Sequence, residues 1–151
     1  MALVGLSYVS PAKALDGSKF DPGLIISDSV FFDFGTMTVD DIQRFLDSQV
    51  PVCKSKPTGM PCLKDYKADT PEKTADPGKC AYMPAKSKIS AAQMIYDISR
   101  ACGINPRVLL VTLQKEQGLV QATIPSPYMY RAAMGYGCPD SDPGRSEEHT
   151  V

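Results

Sequence analysis

The chain has 151 residues, a formal net charge of −1, thirteen prolines, eleven glycines and no tryptophan. That length suits one domain rather than two, and a near-neutral balance with no basic stripe interleaved with aromatics speaks against nucleic acid as the main partner. No segment approaches the roughly eighteen consecutive apolar residues of a membrane span.

At the N-terminus Ala2 to Val9 is a short apolar run followed by Ser10-Pro11-Ala12-Lys13-Ala14, an A-x-A site. Residues 1–14 therefore read as a signal peptide remnant without its basic n-region, the competing reading being a first strand or helix of the mature fold. Asp21-Pro22-Gly23 is a turn signal, and Leu24-Ile25-Ile26 is long enough only for an extended segment or small strand. Asp28 and Asp33 flank Phe31-Phe32 and suit turn or capping roles. Thr38 caps the first helix, with Asp41 three residues on as its capping-box partner, and Val39, Ile42, Phe45 and Leu46 share one face. The acids Asp40 and Asp41 fall where a helix dipole favours them, and Pro51 ends the helix.

From Val52 to Lys88 the chain is rich in Pro, Lys, Asp, Thr and Gly without a sustained period, which predicts a long disulfide-anchored loop; loops of that length are often functional. A second helix runs from the Ser90 cap to Cys102 and stops at Gly103, with Met94, Ile95, Ile98 and Cys102 as its expected buried stripe. Only Ile104 separates it from the Asn105 cap of a third helix, so the two form a sharp corner. Pro106 occupies the first helical position and Gly118 ends the helix. Val108, Leu109, Leu110, Val111 and Leu113 leave it little polar surface, which predicts burial on most sides.

There are five cysteines. In an exported chain they read as a disulfide framework, and no Cys-x-x-Cys pair or usable histidine supports a metal site. The preferred pairing joins Cys53 to Cys62 and Cys80 to Cys102, although sequence alone leaves other connectivities open. Cys138 is the odd one, a free buried thiol or half of a pair completed elsewhere. Residues 145–151, Arg-Ser-Glu-Glu-His-Thr-Val, resemble a translated sequencing adaptor, so the native reading is expected to break near Gly144. The single histidine, His149, lies in that tail and is assigned no role.

The third helix carries the chemistry. Leu109 to Val120 places Glu116 in the last turn of an apolar helix, where unpaired carbonyls disfavour an anion; apolar neighbours push the same way. A glutamate that keeps its proton is what a general acid needs, and glycoside hydrolysis often uses one. Leu113, Thr112 and Leu109 lie three, four and seven residues before it, so the carboxylate rises from a mostly apolar stripe, with Lys115 on a different one. A Gln-Lys-Glu-Gln run at a helix end equally describes a solvated terminus. Tyr128, Tyr130 and Tyr136 follow, as sugar-stacking or core aromatics. No second carboxylate stands at a defensible distance; Asp140 is nearest in the motifs and reads as a turn residue.

Downstream, Ala133-Met134-Gly135-Tyr136 follows Glu116-Gln117 at an interval that resembles lysozyme-like lytic transglycosylases, where a catalytic Glu, usually in Glu-Ser, precedes a Gly-Ala-Met-Gly-Leu-Met-Gln-like segment lining the cleft. Here Gln117 replaces the Ser, and Tyr136-Gly137 replaces Leu-Met-Gln. Over most of its length the chain is similar to secreted actinobacterial hemagglutinin-like proteins, through Phe20 to Asp28, Pro61 to Tyr66, Cys102 to Gln117 and Ala133 to Asp140.

The resemblance implies a mainly α, lysozyme-like domain over residues 15–144, incomplete at its C-terminus. It further implies cleavage of peptidoglycan glycan strands by Glu116 as general acid/base, with Gln117, Tyr130 and Tyr136 contacting substrate. The other reading is a non-catalytic wall-binding or adhesive module. Secretion, association with the cell wall, a monomeric state and no cofactor are expected of either. An open groove at Glu116 away from basic side chains would speak for the enzyme, and full exposure or an ion pair to Lys115 or Arg131 for the binder.

Overall fold

The structure, a computed structural model, describes residues 21–135 except 58. The expected signal-peptide remnant over residues 1–14, Tyr136, Cys138, Asp140, His149 and residues 145–151 lie outside the described residues.

Helices make the frame. In chain order they are α1 (Asp28–Phe31), α2 (Val39–Gln49), α3 (Ala91–Cys102), α4 (Pro106–Gln117) and α5 (Pro127–Arg131), with single 3-10 turns at Leu63–Asp65 and Leu119–Gln121. The expected caps are in place. The Thr38 hydroxyl accepts the Asp41 N–H while Asp41 accepts the Thr38 N–H at 2.9 Å. The Thr38 hydroxyl also donates to Asp41 Oδ2 (2.7 Å), and that bond first, then the one from the Thr38 N–H, holds the Asp41 carboxyl down at about 2. Ser90 caps α3, and left-handed glycines at 103 (φ 65°) and 118 (φ 62°) end α3 and α4, where a side chain would strain the backbone. No helix among the described residues is long and apolar enough to cross a membrane.

The core is where α2, α3 and α4 meet: Ile42, Leu46, Ala92, Ile95, Leu110 and Leu113 belong to one buried cluster, closed below by Leu63, Leu119 and Val120. The stripes are narrower than composition predicts. Phe45 on α2, Ile98 on α3 and Val111 on α4 are exposed, Val111 at 65%. Around α3 the buried residues are Ala91, Ala92, Ile95 and Ser99 rather than Met94, Ile98 and Cys102. With so few helices, only one face of each finds a partner, so α4 is amphipathic instead of buried all round.

Asn105 is nearly fully buried (3% exposed) and does more than cap α4. Its Oδ1 accepts from Arg107 N–H (3.0 Å) and from the Thr36 hydroxyl (2.9 Å), its Nδ2 donates to the Val30 carbonyl (2.9 Å), and its backbone N–H donates to the Phe31 carbonyl (2.8 Å). One side chain thus straps residues 30–36 onto the α3–α4 corner. The turn at 21–24 forms as expected, with Gly23 N–H on the Asp21 carboxylate at 2.8 Å. Leu24 to Ile26 form no strand; they are exposed and lead into the single turn of α1.

Residues 52–88 are not a structureless loop. Lys67–Thr70 (β1) pairs antiparallel with Lys86–Ser90 (β2), in the register Lys67 to Ser90, Ala68 to Ile89 and Thr70 to Lys86. Between Ala68 and Thr70 the register shifts. There Lys88 takes a left-handed φ of 52° and gives its N–H to the Asp69 carboxylate at 2.7 Å, as a bulge requires of its extra residue. Beyond β1 an arm continues as two isolated bridges, Lys73 to Met83 and Asp76 to Cys80. The Cys80–Cys102 disulfide and an Ala81 N–H to Ala101 carbonyl bond (2.7 Å) pin the arm tip to the end of α3. Lys86 Nζ on Asp97 Oδ2 (2.7 Å) pins its base. Cys53 pairs with Cys62, so both expected disulfides form. Such bridges supply the constraint that a small core cannot.

Candidate functional site

Glu116 sits where the stripe argument places it, one turn beyond the buried Leu113 and two turns beyond Leu109. Its side chain is 29% exposed, neither sealed in the core nor fully solvated. Gly135, at φ 66°, lies directly beneath the carboxyl group: a Cβ there would stand 2.7 Å from the carboxyl carbon and closer still to Oε2. The chain turns back to deliver this glycine through α5, capped by Ser126, and a final turn in which Gly135 N–H bonds the Ala132 carbonyl at 2.9 Å. Glu116 and the Ala133-Met134-Gly135 segment, linked in the sequence only by order and interval, are therefore in contact.

An apolar groove of about 340 Å³ lies beside this contact. Leu109 and Leu113 from α4, Met94 and Ile98 from α3, and Ala133 and Met134 from the segment before Gly135 line it. Neither Glu116 nor Gly135 lines the groove; Leu113, one turn before Glu116, and Met134, next to Gly135, do.

Of the two settings weighed for Glu116, a carboxyl away from basic side chains and an ion pair, the ion pair is found. Lys115 Nζ reaches Glu116 Oε1 at 2.9 Å although the two residues are adjacent and leave the helix on different stripes. Four methylenes allow the lysine to fold back over the helix end. The lysine side chain is 77% exposed, and ion pairs of that kind contribute well under ~1 kcal/mol.

Gln117 is half-buried, and its side chain has no hydrogen-bond partner among the described residues. Tyr130 is engaged elsewhere. Its ring stacks on Tyr66 at 4.3 Å and 17°, and its hydroxyl donates to the Pro61 carbonyl at 2.6 Å. Burial pushes its phenol pKa upward, with Tyr66 and Asp65 adding to the effect. The stack forms part of the groove wall and fixes α5 to the segment after Cys62, so Tyr130 supports the groove with its ring while its hydroxyl is already committed. Tyr128 is exposed.

Sequence reasoning passed over an amide chain at the same end of the molecule. Gln114 Nε2 donates to Gln121 Oε1 (3.1 Å), and Gln121 Nε2 donates to Gln49 Oε1 (3.0 Å), linking α4 to α2. The signal available was the glutamine density of 114–121, which periodicity alone does not convert into contacts. Among the described residues no group of three His, Cys, Asp or Glu side chains gathers where it could hold a metal ion.

The arrangement can present one carboxyl group to a ligand lying along the groove, with the carboxyl packed against a glycine where any side chain would displace it. Comparison with protein-family models, with curated proteins and with solved structures finds no match to this chain.

Proposed function

We propose that this chain is the lysozyme-like part of an exported protein that cleaves peptidoglycan glycan strands, of lytic transglycosylase or muramidase type, with Glu116 as general acid/base. The observation that carries the reading is the seating of the Glu116 carboxyl on Gly135 beside an open groove. A single glutamate suffices for the transglycosylase form. It protonates the glycosidic oxygen as the bond breaks, then takes the proton from the sugar's own hydroxyl as that hydroxyl closes on the anomeric carbon. Gln117 and Tyr136 are the proposed substrate contacts, with Tyr130 shaping the groove. The two disulfides suit an oxidising, extracellular setting.

Turbidity clearing of purified cell walls, with analysis of the products for anhydro-muramic ends, tests this. The wild-type protein is expected to clear walls and release such ends, and Glu116→Gln is expected to abolish both while leaving the circular dichroism spectrum unchanged. An unimpaired Glu116→Gln variant would dismiss the assignment.

The Lys115–Glu116 ion pair favours a second reading, a wall-binding or adhesive module in which the carboxylate is a surface charge. Co-sedimentation with cell walls separates the two. Wild-type binding without clearing, retained by Glu116→Gln, supports the module.

A further inference from the structure

Beyond the edge of α3 formed by Met94 and Ile98, a second cavity of about 570 Å³ opens between α3 and the disulfide-tethered arm. It is separate from Glu116 and owes its shape to the two fastenings of the arm, Cys80–Cys102 at the tip and Lys86–Asp97 at the base. Residues on α3 form the floor, and the two legs of the arm, through Pro71 on one and Tyr82 and Met83 on the other, form the wall. The lining is mostly apolar, and its methionines can adapt to the shape of a guest. Both Ile98 (40%) and Tyr82 (53%) remain exposed to solvent.

The charges around it are unbalanced. Lys86 neutralises Asp97, the one acid in the lining, at 2.7 Å, and leaves Arg100 facing no acid there. The excess is cationic in a chain whose net charge is −1. The Arg100 guanidinium lies over the Phe34 ring at 4.8 Å. The ring covers one face of the guanidinium, and its N–H edges meet no acceptor among the described residues. A planar fork of donors held in that way matches a carboxylate.

We propose that this cavity binds a small amphipathic anion, its carboxylate received by Arg100 and its alkyl or aryl body laid on Met94 and Ile98 beneath Tyr82 and Met83. An uncharged ligand of the same size would gain the apolar contact but not the guanidinium. The proposal does not depend on any catalytic role for Glu116.

Isothermal titration with octanoate, and with octan-1-ol as the uncharged analogue, tests it on the disulfide-intact protein. Octanoate is expected to bind saturably at one site and about tenfold more tightly than octan-1-ol, the increment of one charge-assisted hydrogen bond. Arg100→Gln is expected to reduce octanoate affinity to the level of the alcohol. Tyr82→Asp, on an exposed arm position where folding is spared, should weaken octanoate binding by placing a negative charge in the wall. No saturable octanoate binding, equal affinity for the alcohol, or undiminished binding by both variants with native circular dichroism spectra would overturn the assignment.

Discussion

The twelve-residue helix α4 runs ~18 Å, and its two ends are built on different terms. At the N-terminus Asn105 is buried and uses both ends of its amide, together with its backbone N–H, to join three segments. At the C-terminus Glu116 is part-exposed, meets a surface lysine and rests on a glycine that offers no side chain. Burial makes the first end expensive to alter, because a lost partner leaves other polar groups unsatisfied away from water. Partial exposure makes the second end cheap to alter in stability and leaves its carboxyl accessible. One helix thus anchors the fold at one end and presents a part-exposed carboxyl group at the other.

The largest effect should come from the anchored end. Asn105→Ala removes the α4 cap and strands the Thr36 hydroxyl and the Val30 carbonyl, at an expected cost of about 3 kcal/mol. Urea denaturation followed by circular dichroism measures it. A loss below about 1 kcal/mol would mean that the strap over residues 30–36 contributes little and that the two ends of α4 are alike.

At the other end Gly135→Ala should separate stability from function. The left-handed backbone at 135 costs an alanine roughly 1 kcal/mol. Its methyl group must also displace the Glu116 carboxyl, which swings aside because it is the free end of a flexible side chain. The expected outcome is a folded protein whose wall-clearing activity falls nearly as far as that of Glu116→Gln. A Gly135→Ala variant that clears walls at the wild-type rate breaks the link between the Gly135 contact and catalysis.

What the sequence made legible follows the same division between local and distant causes. Thr38, Ser90 and Asn105 as caps and Gly103 and Gly118 as stops were readable because each signal acts within a few residues, whereas the two cysteine pairs, separated by 9 and 22 residues, were preferred over connectivities left open. The arm was not readable. Its strands, Lys-Ala-Asp-Thr and Lys-Ser-Lys-Ile-Ser, are short and charged, and their pairing depends on a bulge and on tethers to α3 that local pattern does not encode. Val111, Phe45 and Ile98 were assigned to buried faces because periodicity counts apolar residues without counting the partners available to cover them. Glu116 and Gly135 were linked by motif order, while the ion pair to Lys115 was only one of the outcomes left open, because helical stripes describe where a side chain leaves the backbone and not where four methylenes can return it.

The smallest effect expected concerns that lysine. Lys115→Met keeps most of the length of the side chain and removes the ammonium from Glu116 Oε1. Because the lysine side chain is 77% exposed, stability should change by no more than ~0.5 kcal/mol, within the resolution of a denaturation midpoint. The informative readout is the pair of wall assays. If Glu116 acts as a general acid, removing the ammonium that occupies its Oε1 should preserve or raise clearing. If the carboxylate serves instead as a surface charge paired for binding, clearing is absent from the outset and wall co-sedimentation changes with the altered charge. A variant that loses clearing while Glu116 remains intact would place Lys115 itself among the groups the reaction needs, and the exposed end of α4 would then carry a functional pair in place of a single carboxyl.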